Sequence, residues 1–507
     1  MTIVTVEVQA AINSGGTLQS FYFSDSPNFM SLGTDTPADT FFYPHLKEPG
    51  KIGVKVWSEG KTYGKSQLEV GQITVVNNDG RYDAFADYGW DGRPIIIRYG
   101  DGPSYPTNFT TLFSGTIDYV RCDENLITFF VRDKAFILDK ILSSATYLGT
   151  NALPNGVEGV PTDIKGQRKP KCYGAVYNVP PPCVNTSKLT YQVNNGAVTD
   201  IPAVYVRGVS LTKGADYATS ALMHAAASPA AGNYYTCFAE GMFRLASVDG
   251  LVTADVLEGA NAAARTVAQV LKRIALDAGV AGGDIDAGDV TALDTACNYV
   301  VGVYCRDQKA LEAMDMVSAS IGAYFFFDGA GVLRMGRLTA PAGGGPQILQ
   351  IYIRQKYSRA AALDKGIPAW SMTMGYMRFF EPQSSDVAAS VSAVRRSDLS
   401  NAYRYARSDN SGILLRFLLA SELKFEGLLT VEANAQSEAA RQLALYEVRR
   451  DIFTIEIPLA IYNSLQPTLM TSVRAYVDRY GRTGYDFRVI GVSFELSRGR
   501  VILTLWG

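Results

Sequence analysis

The first 145 residues never let an apolar pattern run on. "TIVTVEVQ" sets Ile3, Thr5 and Glu7 against Val4, Val6 and Val8. "FYF" (21–23), "KIGVKVW" (51–57), "QITVV" (72–76), "PIIIRYG" (94–100), "LFSGTIDYV" (112–120) and "LITFFV" (126–131) follow. Pro49-Gly50, Asn78-Asp79-Gly80, Asp101-Gly102-Pro103 and Asp123-Glu124-Asn125 separate them. Period-two runs of this length read as strands, and turns of this chemistry reverse the chain. What such a segment can build is a β-barrel or sandwich of six or seven strands. The 29 tyrosines and 23 phenylalanines suit a strand-rich protein.

At 507 residues the chain is too long for one ordinary core. Residues 1–149 read as the first barrel and 150–260 as a β-rich insert with Pro/Gly punctuation and a hairpin at Asn194-Asn195-Gly196. Residues 261–345 switch period. Val267, Val270, Leu271, Ile274 and Ala278 share a helical face. Asp307 is placed to cap a second helix over 308–321, and "AYFFFDGAGVLRMGRL" reads as a hairpin. After the Gly-rich joint "APAGGGPQ", residues 346–507 return to strands with helices added. The best of these helices is "SEAARQLALYEVRR" (437–450), with Ala440, Leu443, Ala444 and Val448 inward and Arg449-Arg450 at its C-terminal end.

The net charge of −2 gives no global argument for nucleic acid or an anionic membrane. No apolar stretch reaches the length of a membrane helix and no export signal opens the chain, so synthesis in the cytosol is expected. The six cysteines form no C-x-x-C pair and are expected reduced and mostly buried. With only His45 and His224, a histidine metal centre or His-based nucleophilic mechanism has little to draw on. "EGKTYGKS" (59–66) has Glu59 where a phosphate loop needs glycine, and "GAGVLRMG" (329–336) precedes no helix. No metal or cofactor is expected, and no pair among the acids stands out for glycosidic cleavage. Arg395, Arg396, Arg404 and Arg407 cluster, which reads as a solvated helical face or interprotomer ion pairs rather than a DNA contact.

"VNNDGRYDAFADYGWDGRPIIIRYG" (76–100) has the look of a ligand loop. Its spacing fails an EF-type calcium site, because position one would be Val75. Asp79-Gly80 instead ends a strand, Tyr82, Phe85 and Trp90 pin a crossing segment, and Gly92-Arg93-Pro94 starts the next strand. The end of the chain echoes this region. "IIIRYG" (95–100) pairs with "AYVDRYG" (475–481), and the mid-strand Gly115 with Gly491.

Three pieces carry a resemblance. They are the 76–100 segment with "LFSGTID", the K-P-x-x-Y-G-x-x-x-N-V stretch (Lys169, Pro170, Tyr173, Gly174, Asn178, Val179), and "DRYGRTGYDFRVIGVSFELSRGRVILTLWG" at the end. In this order they resemble the baseplate hub (tail tip hub) proteins of long-tailed bacteriophages and related gene transfer agents. The resemblance implies a mainly β fold with α+β parts, in which two tail-tube-like barrels flank the insert and the small α+β domain. It implies a homotrimer at the virion tail tip that adapts a sixfold tube to a threefold tip and closes the channel until DNA ejection. Implied partners are the distal tail tube protein, the C-terminus of the tape-measure protein, a tail fibre or receptor-binding protein, and transiently passing DNA. Structural or interface roles would fall on Asp79, Gly80, Trp90, Gly92, Arg98, Tyr99, Gly100, Gly115, Lys169, Pro170, Tyr173, Gly174, Arg479, Tyr480, Gly481, Gly491 and Trp506. The chain ends directly after the last barrel strand, so host recognition is expected to lie in another protein. The competing reading is a tail-tip protein that binds glycans or degrades cell wall.

Overall fold

The computed structural model describes residues 2–56, 63–65, 67–152, 154–353, 358–361, 367–477 and 482–507. The alternating N-terminal runs form one seven-stranded sheet. Its order is Leu18–Ser24, Ile3–Ala11, Pro94–Gly100, Phe109–Cys122, Leu126–Arg132, Ile73–Val76, Leu46–Glu48. The backbone N–H of Ser24 donates to the carbonyl of Tyr43 at 2.8 Å, and the N–H of Tyr43 to that of Tyr22 at 3.0 Å. These bonds draw the two edges of the sheet together into a barrel. Val4, Val6 and Val8 are buried, as the alternation requires.

The insert is built on two five-stranded sheets. The strand Lys171–Val179, next to the edge of one sheet, pairs with Val252–Leu257 and with Gly302–Cys305. Successive side chains of a strand point to opposite faces. Tyr173 accordingly joins the core of the α+β unit, while Cys172 and Val176 join the core of the insert. One strand thus welds two units. Asn194-Asn195-Gly196 makes no hairpin, because the strands on either side, Thr190–Gln192 and Asp200–Val206, belong to different sheets. Asn194 instead accepts from the Cys172 N–H at 2.9 Å and donates to the carbonyls of Gly196 and Ala197.

In the α+β unit the helix Val267–Ala278 buries all five expected positions. Asp307 does not cap the next helix, Ala310–Ala319, but pairs with Arg168 at 3.4 Å. The N–H of Lys309 is taken by the Glu312 carboxylate at 3.1 Å. A later helix, Glu432–Tyr446, buries Ala435, Glu438, Ala439, Gln442, Leu443, Leu445 and Tyr446. Of the expected face only Leu443 is inward; Ala440, Ala444 and Val448 are exposed. The face is rotated because a charge sits on it. Glu438, fully buried, is held by Arg337 and Arg441, and burial of a carboxylate demands such partners.

The C-terminal sheet runs Gln347–Ile348, Ser472–Val477, Arg482–Glu495, Arg500–Trp506, Asp451–Pro458, Ser358–Ala361. The chain is therefore mainly β, and among the described residues α-helices occupy its middle, the approach to this last sheet and, as Leu459–Leu465, a connection within it.

Candidate functional site: two like barrels joined edge to edge

The 76–100 segment is scaffolding inside the first barrel. Asn77 is buried and organises it. Its side chain accepts from the Tyr82 N–H at 2.8 Å and donates to Asp83 at 2.9 Å. A single 3-10 turn, Asp83–Asp87, then lays Tyr82, Phe85 and Trp90 into the core. The Trp90 indole N–H donates to the Phe85 carbonyl at 2.8 Å, and its ring meets Phe129 edge-on at 5.2 Å. Such contacts fix ring orientation as well as burying area. Asp79 faces solvent against Arg81, and Gly80 and Gly92 take φ of 69° and 72°.

The second barrel repeats this layout. Ile73–Val76, the 3-10 turn, Pro94–Gly100, Phe109–Cys122 and Leu126–Arg132 follow one another in the first. Asp451–Pro458, the helix Leu459–Leu465, Ser472–Val477, Arg482–Glu495 and Arg500–Trp506 do so in the second, with the same neighbours. The registers make the match residue by residue. The long strand of the first barrel bulges at Leu112 and Asp118, and that of the second at Gly484 and Ile490. Both intervals are six residues (118 − 112 and 490 − 484). Between the bulges and the preceding strand the same bonds recur. Gly92 N–H reaches the Ile117 carbonyl and Ile117 N–H the Arg93 carbonyl, at 2.9 and 2.8 Å. Met470 N–H reaches Val489 and Val489 N–H reaches Thr471, at 2.7 and 2.9 Å. Met470 even adopts φ 63°, the left-handed conformation that Gly92 takes without strain.

This alignment shifts the echo seen in the letters. Arg98 and Tyr99 correspond to Tyr476 and Val477, so the two "RYG" words are not equivalent. Arg479, Tyr480 and Gly481 lie outside the described residues. Gly491 corresponds to Tyr119, and Gly115 to Phe487.

The barrels meet directly. The hairpin Ile52–Lys55 and Gln67–Val70 leaves the first barrel and pairs with the second: Phe494 opposes Ile52, Ser493 Gly53, Val492 Val54 and Gly491 Lys55. A Cβ on Gly53 would come within 2.8 Å of the Ser493 hydroxyl, so glycine permits the close approach. Beside this junction the Tyr99 phenol donates to Asn463 at 2.7 Å, and Tyr99 and Phe494 lie 6.0 Å apart. Burial pushes the Tyr99 phenol up, which keeps it a donor. One apolar cluster includes Val6, Ile97 and Phe129 of the first barrel with Phe453, Ile455 and Leu503 of the second. The sequence offered no signal for this excursion, because pairing across more than 400 positions leaves no local pattern.

The remaining residues hold the scaffold. Arg98 engages Glu7 and Tyr105, and Gly100 and Gly115 sit where a Cβ would overlap neighbouring carbonyls. Lys169 pairs with Glu158 and lies over the Tyr147 ring, and the Pro170 carbonyl accepts from Asn195. Tyr173 donates to Asp277 at 2.7 Å, its own pKa driven up by burial first and by that carboxylate second. Gly174, at φ 80°, donates to Glu258. Trp506 is buried beneath the Arg450 guanidinium at 5.0 Å.

The arginines of the cluster meet rings, an acid and a carbonyl of their own chain, Arg407 at the exposed surface. Arg395 and Arg404 lie over Phe379, Arg407 pairs with Asp409, and Arg396 donates to the Ala388 carbonyl. His45 bonds the Tyr82 phenol and His224 the Thr190 hydroxyl. Among the described residues no group of acids, cysteines and histidines could hold a metal ion. Among them, too, no helix is long and apolar enough to cross a membrane.

No family model matches the chain, and no curated protein matches it. Solved structures are similar to it, three of which follow. One is a chain of the virion of a native gene transfer agent particle (13% identity over 73% of this chain and 91% of that one, TM-score 0.45). Another is a tail protein from Neisseria meningitidis MC58 (10% identity, 100% and 96% covered, TM-score 0.41). The third is the 43 kDa tail protein of prophage MuSo2 from Shewanella oneidensis (9% identity, 100% and 97% covered, TM-score 0.41).

Proposed function

We propose that this chain is a structural protein of a phage or phage-derived virion, the trimeric baseplate hub at the distal end of the tail. The observation that carries the reading is the pair of like barrels, matched strand for strand and bulge for bulge within one chain. Three chains holding two such barrels each present six similar units in a ring. That is a route from a threefold object to a sixfold one. The order of the three sequence pieces resembling hub proteins supports the same reading.

In this role the barrels continue the tail tube, and the insert and the α+β unit narrow or plug the channel until DNA is ejected. The distal tube protein stacks on the barrel ring, the tape-measure protein ends within it, and a fibre or receptor-binding protein attaches below. The work is mechanical, not catalytic. Quantitative mass spectrometry of purified particles tests it. The expected stoichiometry is three copies per six-subunit tube ring, and six copies would contradict it.

A further inference from the structure

One difference between the two barrels lies along the edge of the long strand. In the second barrel, Ser472–Val477 covers only the first part of one edge of Arg482–Glu495. The rest of that edge, Gly491–Phe494, is covered by the hairpin from the first barrel. In the first barrel, Pro94–Gly100 likewise covers only the first part of the same edge of Phe109–Cys122. The remainder is Tyr119–Cys122, the residues that correspond to Gly491–Phe494 in the bulge alignment. No described strand pairs with it on that side. Tyr119 is 51% exposed, and Arg121 and Cys122 are exposed as well. A bare edge offers a row of backbone donors and acceptors for strand addition.

We infer that this edge receives a second copy of the chain, in a head-to-tail contact that copies the junction already made within each chain. The inference rests on the hub reading and specifies its subunit interface. The occupant follows from the repeat. The hairpin that fills the second barrel's edge leaves the first barrel between Leu46–Glu48 and Ile73–Val76. The corresponding departure from the second barrel lies between Ser358–Ala361 and Asp451–Pro458. It sends out a sheet with Ala369–Tyr376 between Arg404–Asp409 and Ser421–Glu426. The loop joining the last two strands is apolar and bare, with Leu415 89%, Leu418 84% and Leu419 80% exposed. Large apolar side chains so fully solvated within five residues mark a contact surface. A heterologous contact of this kind repeats until the ring closes.

Cys122 gives a native probe of the edge, since the other five thiols are buried or half-buried. Maleimide labelling is compared between isolated chains and assembled tail tips, with labelled sites identified by peptide mapping. The expected result is a labelling rate at Cys122 at least tenfold lower in the assembly. A Cys122→Lys chain, melting at the wild-type temperature, is expected to bind its own copies at least tenfold more weakly. An assembled trimer whose Cys122 reacts at the monomer rate overturns the edge assignment and leaves the trimer standing. A tip containing six copies overturns the hub reading itself, whatever the labelling.

Discussion

At Gly174 the backbone takes φ 80° and an added Cβ would overlap the Val301 carbonyl oxygen. Gly174→Ala therefore meets both a conformational and a steric penalty, and a loss of about 3 kcal/mol or more is expected in chemical denaturation. Asp255 supplies a pH signature at the same strand. It accepts from the Asn178 N–H at 2.8 Å and the Tyr205 phenol at 3.0 Å, with Arg395 and Arg404 nearby. Burial raises its pKa above the ordinary carboxylate range. Protonation thus favours the folded state, an effect complete below about pH 3.9 and lost as pH rises through the raised folded value. Measured by melting temperature, wild type should gain on Asp255→Asn as the pH falls from about 7 towards 4. The opposite trend would mean that the two arginines outweigh burial. Sequence words marked this strand because Lys169, Tyr173, Gly174 and Asn178 each carry a specific contact. They could not show Asp255, which is one acid among many until the strand beside it is known.

The helix Glu432–Tyr446 shows what pattern-reading misses at the level of elements. Its inward stripe contains Glu438 and Gln442, so hydrophobicity alone points to the wrong face. Leu443→Ala should cost about 2–4 kcal/mol. Val448→Ser, at an exposed position, should stay within about 0.5 kcal/mol. Equal losses at both sites, read from urea unfolding, would restore the face expected from sequence. Helix Val267–Ala278 was legible because its stripe is purely apolar. The hairpin Ile52–Lys55 with Gln67–Val70 is testable in the same way. In Gly53→Val the new side chain collides with Ser493, so amides of 52–55 should lose hydrogen-exchange protection while those of Ile3–Ala11 keep theirs. Unchanged protection at 52–55 would show that the junction tolerates the bulk.

Across the whole molecule, strand content and the echo between the two ends were readable, since both follow from period and turn chemistry. The letters that suggested the echo were not the ones that carry it. Bulge positions and bonding partners align the barrels, while "RYG" and the mid-strand glycines fall out of register. The repeat is one of backbone geometry, and unlike side chains can serve it as long as alternate positions stay apolar. The use of one barrel's hairpin to complete the other's sheet was invisible for the same reason. These two features together make the chain a tandem unit whose joint can be repeated between chains. A cryo-EM reconstruction of the tail tip tests that most directly. The account predicts three copies at the distal end of the tube, their six barrels in one pseudo-sixfold ring. A chain located elsewhere in the particle, or a true sixfold ring of six copies, would contradict it.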